Sequence, residues 1–290
     1  MLTQIASLLG EAGIADPADV ADVTPLRGGA IASAWIVRLA NEAALVVKTA
    51  DDAPDGMFAT EVAGLAALSA ALRTPAVIGA GVGWLVLEAF DPCPEGPAAE
   101  FWAAAGRDIA RLHGVAGARF GWHSDGWLGR LPQRNAWNED GHEFFAAQRV
   151  LRYLEEPKVG AALGPAGRRA LERLCGRLPE LIPASPPVLT HGDLWRGNTL
   201  SAAGEPAFID PAVCWMWAET DISMMYCTAR FAAPAAFFAA YDEVSPLAAG
   251  WRERMPILHL REQLSLVAHF GPQPETMAAI ERTIAPFRAR

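Results

Sequence analysis

The sequence predicts an α+β, bilobal fold, with a small antiparallel-sheet lobe and a helix at the N-terminal end and a larger, mostly helical C-terminal lobe. Residues 1–90 contain several short apolar runs separated by glycine, asparagine and proline, the pattern of strands joined by tight turns. Residues 91–97 hold three prolines and a glycine, which is typical of a linker between lobes. Residues 98–290 mostly carry apolar side chains at helical spacing.

Composition narrows the classes of function. The chain has 290 residues, enough for two lobes with cores of their own. Its net charge of −9 argues against nucleic acid or an anionic membrane as the main partner. The four cysteines are scattered and form no C-x-x-C pair, which favours reduced thiols. Neither a signal peptide nor a membrane span is apparent, so we expect a cytoplasmic protein. Separately, we favour a monomer, although the sequence does not give the oligomeric state.

A hairpin is predicted over residues 34–48, because two β-rich runs flank an Asn-Glu turn. Lys48 ends the second run. A lysine in this position is either solvated or, in a kinase, contacts the α- and β-phosphates of ATP. Upstream, Gly28 and Gly29 either make a simple turn or let backbone N–H groups approach those phosphates. The two signals together favour a nucleotide site.

Residues 57–72 have the apolar spacing of a helix, and Glu61 lies one turn inside it. Glu61 is either an exposed helix carboxylate or the ion-pair partner of Lys48, and the upstream lysine favours the ion pair. Two further strands follow, the second ending at Glu88. We expect the adenine of ATP against the backbone from Glu88 to Phe90, beside the cleft that two lobes would form.

Beyond the linker, helices are predicted over residues 101–113, 142–154, 166–178, 233–241, 251–269 and 276–288. A segment rich in Trp and Gly, residues 120–137, either lines a substrate pocket or covers the core. Thr220 or Asp221 is expected to be the N-cap of a further helix.

The chemistry of the chain concentrates in Thr190-His191-Gly192-Asp193-Leu194-Trp195-Arg196-Gly197-Asn198, followed by Asp210-Pro211 after a short apolar run. An Asp followed by an Asn and then by a second Asp is the set that ATP-dependent phosphoryl transfer uses. Asp193 would accept the proton of an attacking hydroxyl, and Asn198 and Asp210 would hold Mg²⁺ on the phosphates. The short path from Asp210 to Asp221 leaves no room for the peptide platform of a protein kinase. This favours a small-molecule substrate.

The chain resembles the fructosamine kinase (ketosamine-3-kinase) family, within the aminoglycoside-phosphotransferase-like kinases. The resemblance rests on HGDLWRGN at 191–198 and D-P-A at 210–212, with weaker matches along nearly the whole chain. It implies a protein-kinase-like fold, ATP, Mg²⁺ and phosphorylation of a sugar hydroxyl on a ketosamine, a step in protein deglycation. It also implies Asp193 as base, Asn198 and Asp210 as metal ligands, and Lys48 as a phosphate ligand with Glu61 as its ion-pair partner.

Some residues near the motif depart from the family pattern. Met216-Trp217-Ala218 stands where the family usually carries a glycine and polar groups, and Ala30 follows the glycine pair without a third glycine. Trp195, Trp215 and Trp217 are candidate substrate contacts. By resemblance to related kinases, His191 is expected to brace the loop rather than to titrate.

Two other functions compete with this prediction. The first keeps the chemistry but changes the acceptor to an aminoglycoside, a choline-like molecule or an amino alcohol. The second is a non-catalytic nucleotide-binding protein with the kinase fold, which the presence of Asp193, Asn198, Asp210 and Lys48 argues against.

Overall fold

The structure is a computed structural model that describes residues 2–26, 33–96, 98–228 and 233–288. It contains two compact units. The first comprises the residues up to Pro94 together with Thr199–Asp210, and the second comprises Glu95–Asn198 with the described residues from Pro211 onward. The sequence-based division places residues 199–210 in the C-terminal lobe, whereas their contacts are with the first unit.

Strands and short strand pairs occur in both units. In chain order, the strands of the described residues are β1 (Val20–Pro25), β2 (Ser33–Leu39), β3 (Ala44–Thr49), β4 (Val77–Gly81), β5 (Trp84–Glu88), β6 (Gly126–Leu128), β7 (Leu131–Gln133), β8 (Val188–Thr190), β9 (Thr199–Ala202), β10 (Glu205–Phe208) and β11 (Cys214–Met216). The first five form one antiparallel sheet in the order β1-β2-β3-β5-β4. The others pair as β6 with β7, β8 with β11, and β9 with β10.

Helices flank the large sheet and make up most of the second unit. The α-helices are α1 (Leu2–Glu11), α2 (Met57–Leu68), α3 (Ala99–Leu112), α4 (Gly141–Phe144), α5 (Pro157–Gly176), α6 (Leu178–Leu181), α7 (Ala218–Cys227), α8 (Ala235–Val244), α9 (Trp251–Leu258), α10 (Leu260–Phe270) and α11 (Pro274–Ile284). The predicted α+β class, a small antiparallel sheet followed by a mostly helical part, is therefore confirmed. No helix in the described ranges has the length and apolar character needed to cross a bilayer.

The alternation of side chains along β3 builds two cores in the first unit. Leu45 and Val47 pack on one face of the sheet with residues of α1. Val46 packs on the other face with residues of α2. Since side chains two positions apart share a face, Lys48 lies on the side of the sheet that α2 covers.

The β9–β10 hairpin is joined to the first unit by backbone hydrogen bonds. The N–H of Phe208 donates to the carbonyl of Arg73 (2.8 Å), and Asp91 and Ser201 exchange two bonds of 3.0 and 2.9 Å. Asp210 follows this hairpin after one intervening residue, so the first unit carries it.

Two predicted helices differ from the observed ones. The prediction of one helix over 142–154 is wrong, because α4 continues as a π-helical turn, Phe145–Val150, and then a 3₁₀ turn, Leu151–Glu155. The spacing of apolar residues over so short a stretch cannot distinguish these helix types. The prediction over 251–269 becomes two helices, α9 and α10, which separate at His259.

Close packing of α3 on α8 is a stabilising contact in the second unit. Gly106 faces α8, and a Cβ atom at this position would lie 2.2 Å from the carbonyl oxygen of Phe237. The backbones therefore approach more closely than any side chain at residue 106 would allow.

We expect Gly106→Ala to lower the free energy of unfolding by about 2–4 kcal/mol, because the helices must separate to admit the methyl group. Gly176→Ala is the matched control, since a Cβ atom at the end of α5 would meet nothing within 4 Å. That variant should be neutral or up to about 1 kcal/mol more stable. Urea unfolding of both proteins measures the difference, and equal stabilities would contradict the packing argument.

Candidate active site

An ion-pair network in the first unit joins three of the predicted site residues. The Nζ atom of Lys48 donates to Oε1 of Glu61 across 2.6 Å and also to Oδ1 of Asp210. The predicted pairing of Lys48 with Glu61 is thus confirmed. The side chains of Lys48 and Glu61 are mostly buried, whereas that of Asp210 is 42% exposed. Glu61 is therefore the buried carboxylate of the network, and Asp210 is the carboxylate that solvent reaches.

The carboxylates keep Lys48 charged. Burial by itself lowers the pKa of Lys48, but Asp210 and Glu61 outweigh burial and hold that pKa above its ordinary value. A permanent ammonium group beside an accessible carboxylate suits the binding of phosphate oxygens and a cation.

Asp210 has an uncommon backbone conformation. Its φ angle is 56°, in the left-handed region that residues other than glycine seldom adopt. Such strain persists where the surrounding structure imposes it, and it is frequent at functional sites. The β9–β10 hairpin before Asp210 and its bond to Lys48 are two such constraints.

Only some of the other predicted nucleotide contacts lie among the described residues. Gly28 and Gly29 lie outside the described residues. Glu88 ends β5, and its carboxylate accepts hydrogen bonds from Arg73 (2.5 Å) and from the N–H of Ala76 (3.1 Å). The Arg73 guanidinium also stacks 4.8 Å from the ring centre of Phe90. Nucleotide binding by Glu88 and Phe90 stays a prediction.

In the second unit, β8 leads directly into the predicted catalytic loop. The side-chain amide of Asn198 donates to the backbone carbonyl of Asp193 (2.8 Å) and to Oδ2 of its carboxylate (3.1 Å). These two bonds explain the five-residue spacing between Asp and Asn, because the Asn orients the Asp. The Oδ1 atom of Asn198 accepts no hydrogen bond from the described residues, so an oxygen remains for another ligand.

The backbone of this loop is anchored on the buried carboxylate of Asp221. The N–H groups of His191 and Gly192 donate to its Oδ2 and Oδ1 atoms, at 2.7 and 2.9 Å. Nε2 of His113 lies 3.2 Å from Oδ2, and the other ring nitrogen lies 2.8 Å from the hydroxyl of Tyr241. Burial alone raises the pKa of Asp221, but the hydrogen bond and charge of His113 hold it below its ordinary value.

The position of Asp221 corrects a prediction. The expectation that Thr220 or Asp221 caps the following helix is wrong, because Trp217 is the N-cap of α7 and Asp221 lies inside the helix. Sequence reasoning missed the anchoring role altogether. Asp221 and Tyr241 lie in α7 and α8, His113 directly follows α3, and no local spacing connects the three residues. The local signal available was the pair of carboxylates Glu219 and Asp221, a short distance after Asp210.

Gly192 is required by both its conformation and its surroundings. Its φ angle is 78°, and a Cβ atom there would lie 1.9 Å from the carbonyl oxygen of Ala212. The N–H of Ala212 also donates to the carbonyl of His191 (2.9 Å). His191 is completely buried, and its Nδ1 atom lies 3.3 Å from the N–H of Asp193. As predicted, His191 braces the loop.

The three candidate tryptophans differ in accessibility. Trp217 is 2% exposed and packs among aromatic rings, with ring centroids 5.8 Å from Phe145 and 5.0 Å from His142. Its neighbour Met216 is equally buried, so these departures from the family pattern lie in the core. Trp195 and Trp215 are half-buried. For these two residues, contact with a substrate stays a prediction.

No three His, Cys, Asp or Glu side chains of the described residues form a group that could hold a metal ion. Mg²⁺ in kinases is generally held by one or two carboxylates, and phosphate oxygens and water complete its coordination shell.

Known proteins are similar to this chain over most of its length. Residues 1–285 match the family model described as fructosamine kinase. The chain is 32% identical to YniA of Escherichia coli K12, which is named a ketoamine kinase, over 90% of this chain and 92% of that protein. A crystal structure assigned to a fructosamine-3-kinase of Thermobifida fusca has a TM-score of 0.83 at 33% identity, covering 97% and 99% of the two chains. Aminoglycoside phosphotransferase APH(4)-Ia, at 15% identity and a TM-score of 0.65 over 99% of both chains, shares the fold.

We expect Asp221→Asn to lower the free energy of unfolding by about 2–4 kcal/mol, because one amide oxygen cannot accept two buried N–H groups and a histidine. Asp140→Asn is a matched control. Asp140 also accepts two backbone N–H groups, from His142 and Glu143, but is exposed at a helix N-cap, where Asn serves as well as Asp. Urea unfolding should show a change within about 0.5 kcal/mol for the control.

Unfolding of the wild type and of Asp221→Asn at several pH values tests the pKa of Asp221. A carboxyl group whose pKa is depressed on folding contributes stability above its ordinary pKa of about 3.9, and loses it as the pH falls further. The stability gap between the wild type and Asp221→Asn should therefore be present at about pH 5 and narrow as the pH falls below about 4. A gap that already closes near neutral pH would contradict the assignment.

Proposed function

The chain belongs to the fructosamine kinase family, and we propose that it is an ATP- and Mg²⁺-dependent kinase of a sugar hydroxyl on a ketosamine. As a member of this family it is a phosphotransferase with an alcohol group as acceptor. The observation that carries the proposal is the orientation of the Asp193 carboxylate by Asn198, on a loop whose backbone is anchored on buried Asp221.

Asp193 is the general base in this proposal. Its carboxylate accepts the proton of the attacking hydroxyl, and the bond from Asn198 to its Oδ2 atom limits the carboxylate to one orientation. The reaction needs little covalent chemistry from the protein, since positioning and electrostatics supply most of the rate enhancement in phosphoryl transfer.

Lys48 binds the α- and β-phosphates of the nucleotide. Its ammonium group is kept charged by Glu61, which remains its partner when phosphate oxygens compete with Asp210. Glu88 and Phe90 would contact the adenine, and the glycine pair Gly28-Gly29 the phosphates, as the resemblance implies.

Asn198 and Asp210 are the proposed Mg²⁺ ligands, and their oxygens fit that ion. The Oδ1 atom of Asn198 and the Oδ2 atom of Asp210 accept no hydrogen bond from described residues, and carboxylate and amide oxygens are the protein ligands that Mg²⁺ prefers. When bound, the ion neutralises negative charge on the phosphates. The strained backbone of Asp210 is consistent with a ligand held in place before the ion arrives.

The acceptor is proposed from the family. The E. coli relative is named a ketoamine kinase, and the T. fusca structure is assigned to a fructosamine-3-kinase. Burial of Met216 and Trp217 supports an acceptor pocket that those departures leave unchanged. A panel of fructosamines, ribulosamines, aminoglycosides and choline, assayed in parallel for phosphate transfer, separates the ketosamine from the other acceptors. We place the activity in the cytoplasm, where ATP and reduced thiols occur together.

We expect Asp193→Asn to lower kcat by about 10²–10⁴-fold, because the amide cannot accept the proton. ATP affinity should remain within about threefold, since Asp193 does not contact the nucleotide phosphates in this proposal. Asp242→Asn is the control, as Asp242 is exposed and accepts the N–H of Leu247. Wild-type turnover by Asp193→Asn would show that another group is the base.

We expect Lys48→Met to weaken ATP binding by about 10- to 100-fold, because a hydrogen bond to a charged group contributes about 1.5–3 kcal/mol. Thermal-shift titration with ATP, with and without Mg²⁺, measures this directly. The same titration tests the non-catalytic alternative, which predicts ATP binding to the wild type without turnover on any acceptor of the panel.

A further inference from the structure

Arg261 on α10 reaches the peptide bond that carries Asp193. One guanidinium nitrogen, Nη1, donates to the carbonyl oxygen of Gly192, and the other, Nη2, donates to Oε1 of Gln133 (3.2 Å). The side-chain amide of Gln133, at the end of β7, in turn donates to the carbonyl oxygen of Ala212 (2.9 Å). Two side chains thus link the loop residue before Asp193 with the segment that follows Asp210 in sequence.

These contacts restrain a part of the loop that Asp221 leaves free. Asp221 binds the N–H groups of His191 and Gly192 and so holds the two peptide groups that precede Gly192 Cα. The next peptide group, between Gly192 and Asp193, is held through its carbonyl by Arg261, and its N–H makes only a long bond of 3.3 Å to Nδ1 of His191. Because Gly192 lacks a side chain and has a φ angle of 78°, its backbone would otherwise rotate easily and carry Asp193 with it.

The energetic cost of Arg261 argues against a role in packing alone. Arg261 and Gln133 are both 9% exposed or less, and burying a guanidinium ion costs several kcal/mol unless it is compensated. The hydrogen-bond acceptors of Arg261 among the described residues are uncharged: the oxygens of Gly192 and Gln133, and more distantly (3.9 Å) the sulfur of Met224. Burial lowers the pKa of Arg261, while Tyr153, Glu262 and Asp193 together raise it above its ordinary value, so the group stays charged. An apolar side chain would fill the same space without that cost.

The small space around the guanidinium group of Arg261 limits which side chains could replace it. A cavity of about 20 Å³ beside it is lined by residues that include Gln133, Cys214, Arg261 and Glu262. A space of that size holds about one water molecule. A shorter cation could therefore regain part of the contact through one water, but an apolar side chain could not.

We propose that Arg261 and Gln133 are positioning residues, a brace that holds the Gly192–Asp193 peptide group in the orientation that phosphoryl transfer requires. The inference deepens the proposed function and rests on Asp193 acting as the base. Neither residue touches the reacting atoms, so the expected effect is on kcat rather than on nucleotide binding.

The test compares five variants: Arg261→Met, Arg261→Lys, Gln133→Leu, the double variant Arg261→Met/Gln133→Leu, and the control Arg152→Met. Arg152 is an equally buried arginine of the second unit that binds Glu156 (3.0 Å) and makes no described hydrogen bond to the catalytic loop. Arg152→Met therefore measures the general effect on kcat and hydrogen exchange of removing a buried arginine. Arg261→Lys and Gln133→Leu keep the test valid if Arg261→Met unfolds.

Two measurements are made on each folded variant. Steady-state kinetics with ATP and the best acceptor should show kcat about 10- to 100-fold lower for Arg261→Met, with KM for ATP within twofold, because a small displacement of the base suffices for such a loss. Arg261→Lys should recover part of kcat, and the double variant should be no slower than Arg261→Met, since both changes break one chain of bonds. Arg152→Met should keep the wild-type kcat.

Hydrogen exchange of a peptide spanning residues 188–198 provides a readout that does not need activity. Exchange there should be about tenfold faster in Arg261→Met and Gln133→Leu than in the wild type and Arg152→Met. The brace is refuted if exchange in this peptide is unchanged, or if Arg152→Met raises it equally. If the wild type phosphorylates no acceptor, the proposed function fails, and the exchange comparison still decides whether the brace exists.

Discussion

The carboxylate of Asp221 accepts the backbone N–H groups of His191 and Gly192 from a position that is almost fully buried, and the loop that carries Asp193 depends on it. A loop cannot satisfy those N–H groups by itself, and leaving them unpaired inside the protein would cost more than the loop could recover. Helix α7 provides the acceptor, His113 lowers the pKa of that carboxyl group, and Tyr241 binds the other ring nitrogen of His113. The geometry of the loop that carries Asp193 is therefore determined by helices far from it in sequence.

Charge in the first unit is arranged differently from charge in the second. Lys48 is shared between Glu61, which is buried with it, and Asp210, which is partly open to solvent. The partner that solvent reaches is the one proposed to bind a cation, so a ligand can replace Lys48 there without exposing an unpaired charge in the interior. In the second unit, the buried guanidinium of Arg261 binds neutral backbone and amide oxygens, which suits a permanent structural contact.

Two of the residues that depart from the family pattern, Met216 and Trp217, lie in the core. In the family pattern the stretch 216–218 carries a glycine and polar groups, and bulky residues there suggest an altered substrate pocket. Trp217 instead packs with Phe120, Phe145 and His142, and Met216 is buried beside it. The replacement of small or polar residues by large apolar ones is thus a change of core packing. This leaves Trp195 and Trp215 as the accessible aromatic candidates for a substrate contact.

The sequence alone predicted the fold class, the ion pair of Lys48 with Glu61 and the family. The class follows from the spacing of apolar residues, the ion pair from the kinase pattern of a strand lysine and a helix glutamate, and the family from a contiguous motif. Only the tertiary structure revealed the anchor at Asp221, the brace of Arg261 and Gln133, and the assignment of residues 199–210 to the first unit. Each of these joins elements that are distant in the chain, and no periodicity records which buried polar groups will meet once the helices pack.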